Sequence, residues 1–189
     1  LFDDKRFSST GQVACATCHD EKKAFTDSPL RTSEGIKKGG KALTGTRNAP
    51  TVVNSAYFDV QFWDGRSPSL EDQSQHPFVN PVEMGLKDHQ PILKIVRSDP
   101  EYVKGFEQVF GKKGAAITMK EVTQAIAAFE RTQVTGDSPF DRFHAGHSFW
   151  WTAGGQGYPR RAAGFAGMPD PYFMSALLTG KFRTAPLTW

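Results

Sequence analysis

The chain has 189 residues, a formal net charge of +3 and 23% charged residues. That is enough for one domain with an extension, and too little basic charge for a nucleic-acid binder. Its 38% hydrophobic residues, with 15 Phe and 4 Trp, can build a core and exclude a wholly disordered chain. No apolar run approaches the ~20 residues of a membrane span, and Leu1-Phe2-Asp3 opens with no leader, as a mature or trimmed form would.

In chain order, residues 1–30 read as a short helix at Cys15 to His19 with its flanks. Residues 31–61 carry Gly35, Gly39, Gly40 and Gly45 without a sustained period and read as irregular, with a short helix start near Pro50 to Asn54. A helix begins at Ser69-Leu70, and Pro77 and Pro81 are expected to break it and the stretch after it. Pro91 to Val96 and Pro100 to Phe110 give two helices with proline at a favourable first position. Thr118-Met119-Lys120-Glu121 is a capping box, and Val122, Ile126 and Phe129 then recur at helical spacing until about Gly136. No strand pattern is comparable in strength, so the expected class is all-α with long irregular loops. From residue 146 the chain becomes a Gly-, Pro- and aromatic-rich extension, in which Trp150 and Trp151 read as buried anchors.

Both cysteines lie in Cys15-Ala16-Thr17-Cys18-His19. A redox disulfide would need a thioredoxin-like context that is missing, and zinc would need two further ligands at paired spacing. His76, His89, His144 and His147 form no such pair. Covalent haem fits best, because CxxCH is the attachment signature. On one helical turn the two thiols each reach a vinyl group of one porphyrin, and the imidazole of His19 then lies under the iron. Paired cysteines of this kind take up haem outside the cytoplasm, which places the chain in the periplasm or another extracytoplasmic space.

Several further motifs carry a resemblance. Leu1-Phe2-Asp3-Asp4-Lys5-Arg6-Phe7-Ser8, the CxxCH, Ala24-Phe25-Thr26-Asp27 and Gly45-Thr46-Arg47-Asn48-Ala49-Pro50-Thr51 come first. Gln61-Phe62-Trp63-Asp64-Gly65-Arg66, Asn80-Pro81-Val82-Glu83-Met84-Gly85, Ala127-Ala128-Phe129-Glu130-Arg131-Thr132 and Phe140-Asp141 come after them in order. Together they resemble the N-terminal haem domain of the bacterial dihaem cytochrome c peroxidases, which include the methylamine-utilisation dihaem enzyme. The similarity covers residues 1 to about 145, leaving 146–189 as an atypical extension, a remnant or an incomplete second domain. It implies a cytochrome c-like fold and reduction of hydrogen peroxide at a haem c whose proximal ligand is His19. Gln73 and Glu83 match the distal pocket, and Trp63 the residue between the two haems on the electron path. Asn48, with Thr184 and Pro186 near the C-terminus, matches a calcium site.

The chemistry is coherent for these residue types. A base must take a proton from the near oxygen of bound peroxide and return it to the far one, which suits Glu83. An amide such as Gln73 orients the peroxide. Taken singly, Glu83 reads as a solvated loop carboxylate, Gln73 as a helix-surface amide and Trp63 as core. The joint match sets them apart. Redox-gated relatives carry a distal histidine before the Arg-Asn-x-Pro motif, whereas Ser33 to Ala42 here has none, so an open sixth position is expected. A second CxxCH is also missing after residue 150. The chain reads as a natural monohaem form, an eroded one or a piece of a longer protein, and electrons would come from a small redox protein or a haem-bearing partner, in a hetero- or homo-oligomer. The alternatives are an electron-transfer cytochrome c with Met84 as second axial ligand, and a haem-bearing accessory subunit.

Overall fold

A computed structural model describes residues 1–136 of the chain, and Leu1–Thr135 form one compact unit. The boundary near 145, the 146–189 extension with Trp150 and Trp151, the Phe140-Asp141 motif, and Thr184 and Pro186 lie outside the described residues.

Among the described residues there are five α-helices and one hairpin: α1 (Cys15–Cys18), β1 (Glu34–Lys38), β2 (Lys41–Thr44), α2 (Leu70–Val79), α3 (Gln90–Ser98), α4 (Pro100–Phe110) and α5 (Met119–Thr132). The helix starts obey their caps. Ser69 accepts a bond from Asp72 N (3.1 Å) at the head of α2, and Glu121 Oε2 reaches back to Thr118 N (2.8 Å) at the head of α5. The helix α4 has the expected bounds. By contrast, α5 stops at Thr132, and the turn near Pro50 is a 3-10 turn at Ser55–Tyr57. Pro77 does not break α2 but sits in its last turn, where the lost N–H costs only the bond to the Gln73 carbonyl.

The all-α expectation needs correction, because β1 and β2 pair antiparallel with Lys38 opposite Lys41. Gly39 and Gly40 close the hairpin at φ 58° and 79°, a left-handed pair that suits a two-residue hairpin loop. The flanking residues do not alternate apolar and polar, so periodicity gave no strand signal.

The core gathers Phe7, Phe78, Ile92, Val96, Phe106, Ile117, Val122 and Ile126, all nearly inaccessible. The helices α2 and α5 pack against each other, and Arg131 on α5 grips Glu71 on α2 at 2.6 and 2.9 Å. This pair of helices forms one side of a cavity beside the CxxCH turn.

Candidate functional site

The cavity, of about 390 Å³, is lined by Cys15, Cys18 and His19, and by Gln73, Glu83, Trp63 and Asn48. Residues expected to act together from separate motifs thus share one cavity wall. The volume falls in the usual range of roughly 300–1,000 Å³ for small-molecule and cofactor sites.

The His19 wall is built by the chain turning back on itself. Ala24 and Phe25 both hold left-handed φ, 54° and 56°, a conformation that costs a non-glycine residue on the order of 1–2 kcal/mol. Bonds from Phe25 N to Asp20 O and from Asp20 N to Thr26 O hold that turn, and Thr51 Oγ1 donates to Ala24 O. The Phe25 carbonyl then lies 3.1 Å from His19 Nδ1. That bond leaves Nε2 for a metal and fixes the ring. Burial holds His19 below the ordinary imidazole range, with the Phe25 carbonyl pulling the other way, so the ring is neutral and its lone pair available.

The two thiols are pushed up by burial, Cys15 to about 12 and Cys18 to about 11. Among the described residues no cluster of three or more His, Cys, Asp or Glu could hold a metal ion. A neutral thiol pair beside one imidazole, on a cavity with walls from Phe2, Val13, Val52 and Ile126, suits covalent haem with His19 as axial ligand.

To the same cavity α2 brings Gln73, and the turn after it brings Glu83. Asn80 organises that turn: its Oδ1 accepts from Val82 N (3.1 Å) and its Nδ2 donates to Glu83 Oε1 (2.9 Å). Strand β1 closes over the outside, with Ile36 N donating to Glu83 O (2.8 Å). Gly35 makes that approach possible, since a Cβ there would lie 2.0 Å from Val82 O and 2.6 Å from Glu83 Cα. Half-buried Glu83 is raised above the ordinary carboxylate range by burial, opposed by the Arg66 charge and the Asn80 bond. Sequence reasoning gives neither Asn80 nor Gly35 a role. An Asn one residue before Pro81 is an Asx-turn signal that could have marked the first.

Trp63 is not core: it is 60% exposed, on a loop closed by Gln61 N to Ser67 O (2.8 Å). Its Nε1 donates to Asn48 O (3.0 Å), which ties the electron-path candidate to the calcium candidate by a backbone bond. Asn48 itself is exposed. Arg66 lies over the Phe62 ring at 3.5 Å and pairs with Asp64 at 2.8 Å. Met84 lines the cavity beside Glu83 but is 2% exposed and belongs to the core cluster. His76 Nε2 meets Asp72 Oδ2 (3.3 Å), and His89 Nε2 meets Gln75 O (3.1 Å). Among the described residues, His19 is the one imidazole on the cavity wall.

A family model described as di-haem cytochrome c peroxidase matches residues 1–148. The cytochrome c551 peroxidase of Nitrosomonas europaea is 41% identical over 146 residues, which cover 77% of this chain and 41% of that one. The cytochrome c peroxidase Ccp of Escherichia coli is 38% identical over 146 residues, 77% of this chain and 30% of that one. The methylamine utilization protein MauG of Paracoccus denitrificans is 37% identical over 157 residues, 75% of this chain and 40% of that one. Among solved structures, a MauG-like protein associated with microbial copper homeostasis superposes with a TM-score of 0.67 at 31% identity, over 77% of this chain and 42% of that one. The chain spans about two fifths or less of the length of these curated relatives.

Proposed function

The chain belongs to the di-haem cytochrome c peroxidase family, and from that premise we propose that residues 1 to about 145 form a haem c domain that reduces hydrogen peroxide. The observation that carries this reading is the meeting of Cys15, Cys18, His19, Gln73 and Glu83 on one cavity. Cys15 and Cys18 would hold the porphyrin as thioethers, and His19 Nε2 would ligate the iron. Haem bound there supplies the redox iron whose chemistry breaks the O–O bond.

The remaining steps belong to side chains. Asn80 occupies Glu83 Oε1, so Oε2 is the atom that takes the proton from the near peroxide oxygen. Glu83 then returns it to the far oxygen, and water leaves. Its raised proton affinity brings it closer to the operating pH, where a base that must also act as acid works best. The Gln73 amide orients the peroxide by hydrogen bonding. The balance is one hydrogen peroxide, two electrons and two protons giving two waters. Electrons come from a small redox protein or a haem-bearing partner through Trp63, which is flanked by the exposed side chains of Tyr57, Phe58 and Val60. Exposed apolar surface of this kind marks contact sites.

Because His76 and His89 are engaged with Asp72 and Gln75, no second imidazole among the described residues would reach a haem iron on His19, and an open sixth position is the reading put to the test. Asn48 with Thr184 and Pro186 is the candidate calcium site, and the compartment is periplasmic or otherwise extracytoplasmic. No helix among the described residues is long and apolar enough to cross a membrane.

The ferric absorption spectrum tests the reading. A high-spin haem that shifts on adding hydrogen peroxide supports it, and a bis-histidine low-spin signal by electron paramagnetic resonance refutes the open position. A far-red methionine band without a peroxide response would establish the electron-transfer alternative through Met84.

A further inference from the structure

Two polar atoms on the cavity wall have no part in peroxide reduction as proposed. Glu130 on α5 is 6% exposed, and its Oε2 is fully buried without a hydrogen-bond partner among the described residues. Ser55 Oγ, on the 3-10 turn packed against α5, is in the same condition. Both residues line the cavity together with Cys15. Glu130 is there by helical register. Val122, Ile126 and Glu130 stand four apart on the buried face of α5, whereas Phe129 is 37% exposed.

A buried carboxylate is costly unless paired. Arg131 is adjacent in sequence, but its guanidinium is held by Glu71 on α2 at 2.6 and 2.9 Å. Burial pushes the Glu130 carboxyl up to about 7, Arg131 opposes this, and Glu71 adds to it. Around it stand Arg131 on its own helix, Glu71 on α2 and the Cys15 sulfur of α1. Cys18, Glu83, Arg66, Arg47 and His19 are the other charged or titratable groups of the cavity wall. The group is therefore poised so that a change of one unit charge nearby decides its protonation.

We propose that Glu130 is a proton-accepting site linked to the cofactor, binding one solvent proton when the haem on Cys15 and Cys18 gains one electron. The inference rests on the haem c reading of the site. One electron from a one-electron donor turns ferric haem ferrous, and one proton bonds to the Glu130 carboxylate. No other bond forms or breaks. Reduction removes one positive charge from the apolar cavity, and the anion on its wall then loses a source of attraction.

The test is a redox titration of the holoprotein from about pH 5 to about pH 9, after covalent haem has been verified by its spectrum. The midpoint potential is expected to fall with rising pH around neutrality, by up to about 59 mV per tenfold drop in proton concentration for one electron. Glu130→Gln should flatten that slope and leave haem content unchanged. Glu71→Gln removes the negative neighbour and releases Arg131, so it should move the break to lower pH while Glu130 stays in place. An unchanged slope in Glu130→Gln overturns the inference. If that variant does not accumulate as holoprotein, a break that stays put in Glu71→Gln overturns it instead. A chain without covalent haem overturns the underlying haem reading and is recognised before any titration begins.

Discussion

Two tight turns flank the cavity, and they differ in whether they turn their side chains inward or outward. The Asn80 to Gly85 turn is closed by Glu83 N and Gly85 N on Asn80 O at 3.1 and 2.9 Å, and it drives Met84 and Leu86 into the core. The Gln61 to Ser67 loop is also closed by backbone bonds, Gln61 N to Ser67 O and Gly65 N to Phe62 O, yet it leaves Trp63 60% exposed. The inward turn places a half-buried carboxylate under the cover of β1, where burial raises its proton affinity. The outward loop places an indole at the surface, where a redox partner can reach it. On the proposed function, proton transfer and electron entry would then rest on separately closed backbone units.

The sharpest way to break this comparison is Glu83→Gln. We expect the peroxide reaction of the ferric protein to slow on the order of 10²–10⁴-fold, the usual contribution of a general acid–base group, with haem attachment unchanged by spectrum. Trp63→Phe should do the reverse. Turnover with a protein electron donor falls about tenfold, a rise in the barrier of about 1.4 kcal/mol, while a single mixing with peroxide proceeds at the wild-type rate. Equal effects of both variants on the single-mixing rate would erase the distinction between the turns.

Asn80→Ala sharpens the inward side. The Asn80 bond lowers the Glu83 pKa against the burial that raises it, so its loss raises that pKa further. The peroxide rate falls as pH drops through the Glu83 pKa, because the base is then protonated, and the variant's break should lie at higher pH than wild type. A pH–rate profile reads this directly. The smallest effect is expected from Gly35→Ala. Its Cβ meets backbone at 2.0 Å, and overpacking of this kind costs about 1–3 kcal/mol. Thermal unfolding should register it as a fall of several degrees, together with a slower peroxide reaction as Glu83 is displaced.

Much of this arrangement is legible in the residues. CxxCH, the Thr118 to Glu121 capping box and the Pro100 to Phe110 helix all appear where local chemistry dictates them, since each depends on neighbours within a turn. The hairpin was hidden because Glu34 to Lys38 and Lys41 to Thr44 bury almost nothing on one face. Their pairing rests on Gly39-Gly40 and on the backbone of Glu83, a partner remote in the chain. Glu130 was hidden because its residue type reads as solvated, although, four residues past Ile126, it stands on the buried face of α5. The exposure of Trp63 contradicts the ordinary fate of tryptophan and results from a loop closure that no local pattern announces.

The central claim is that Glu83 faces an open haem c position across the cavity from His19. It is tested most directly by mixing the ferric holoprotein with one equivalent of hydrogen peroxide and monitoring the haem absorption, wild type beside Glu83→Gln. The account predicts a high-spin resting spectrum in both, a rapid shift in wild type, and a shift on the order of a hundredfold slower in the variant. A low-spin resting haem that ignores peroxide, or equal rates in the two proteins, would contradict it.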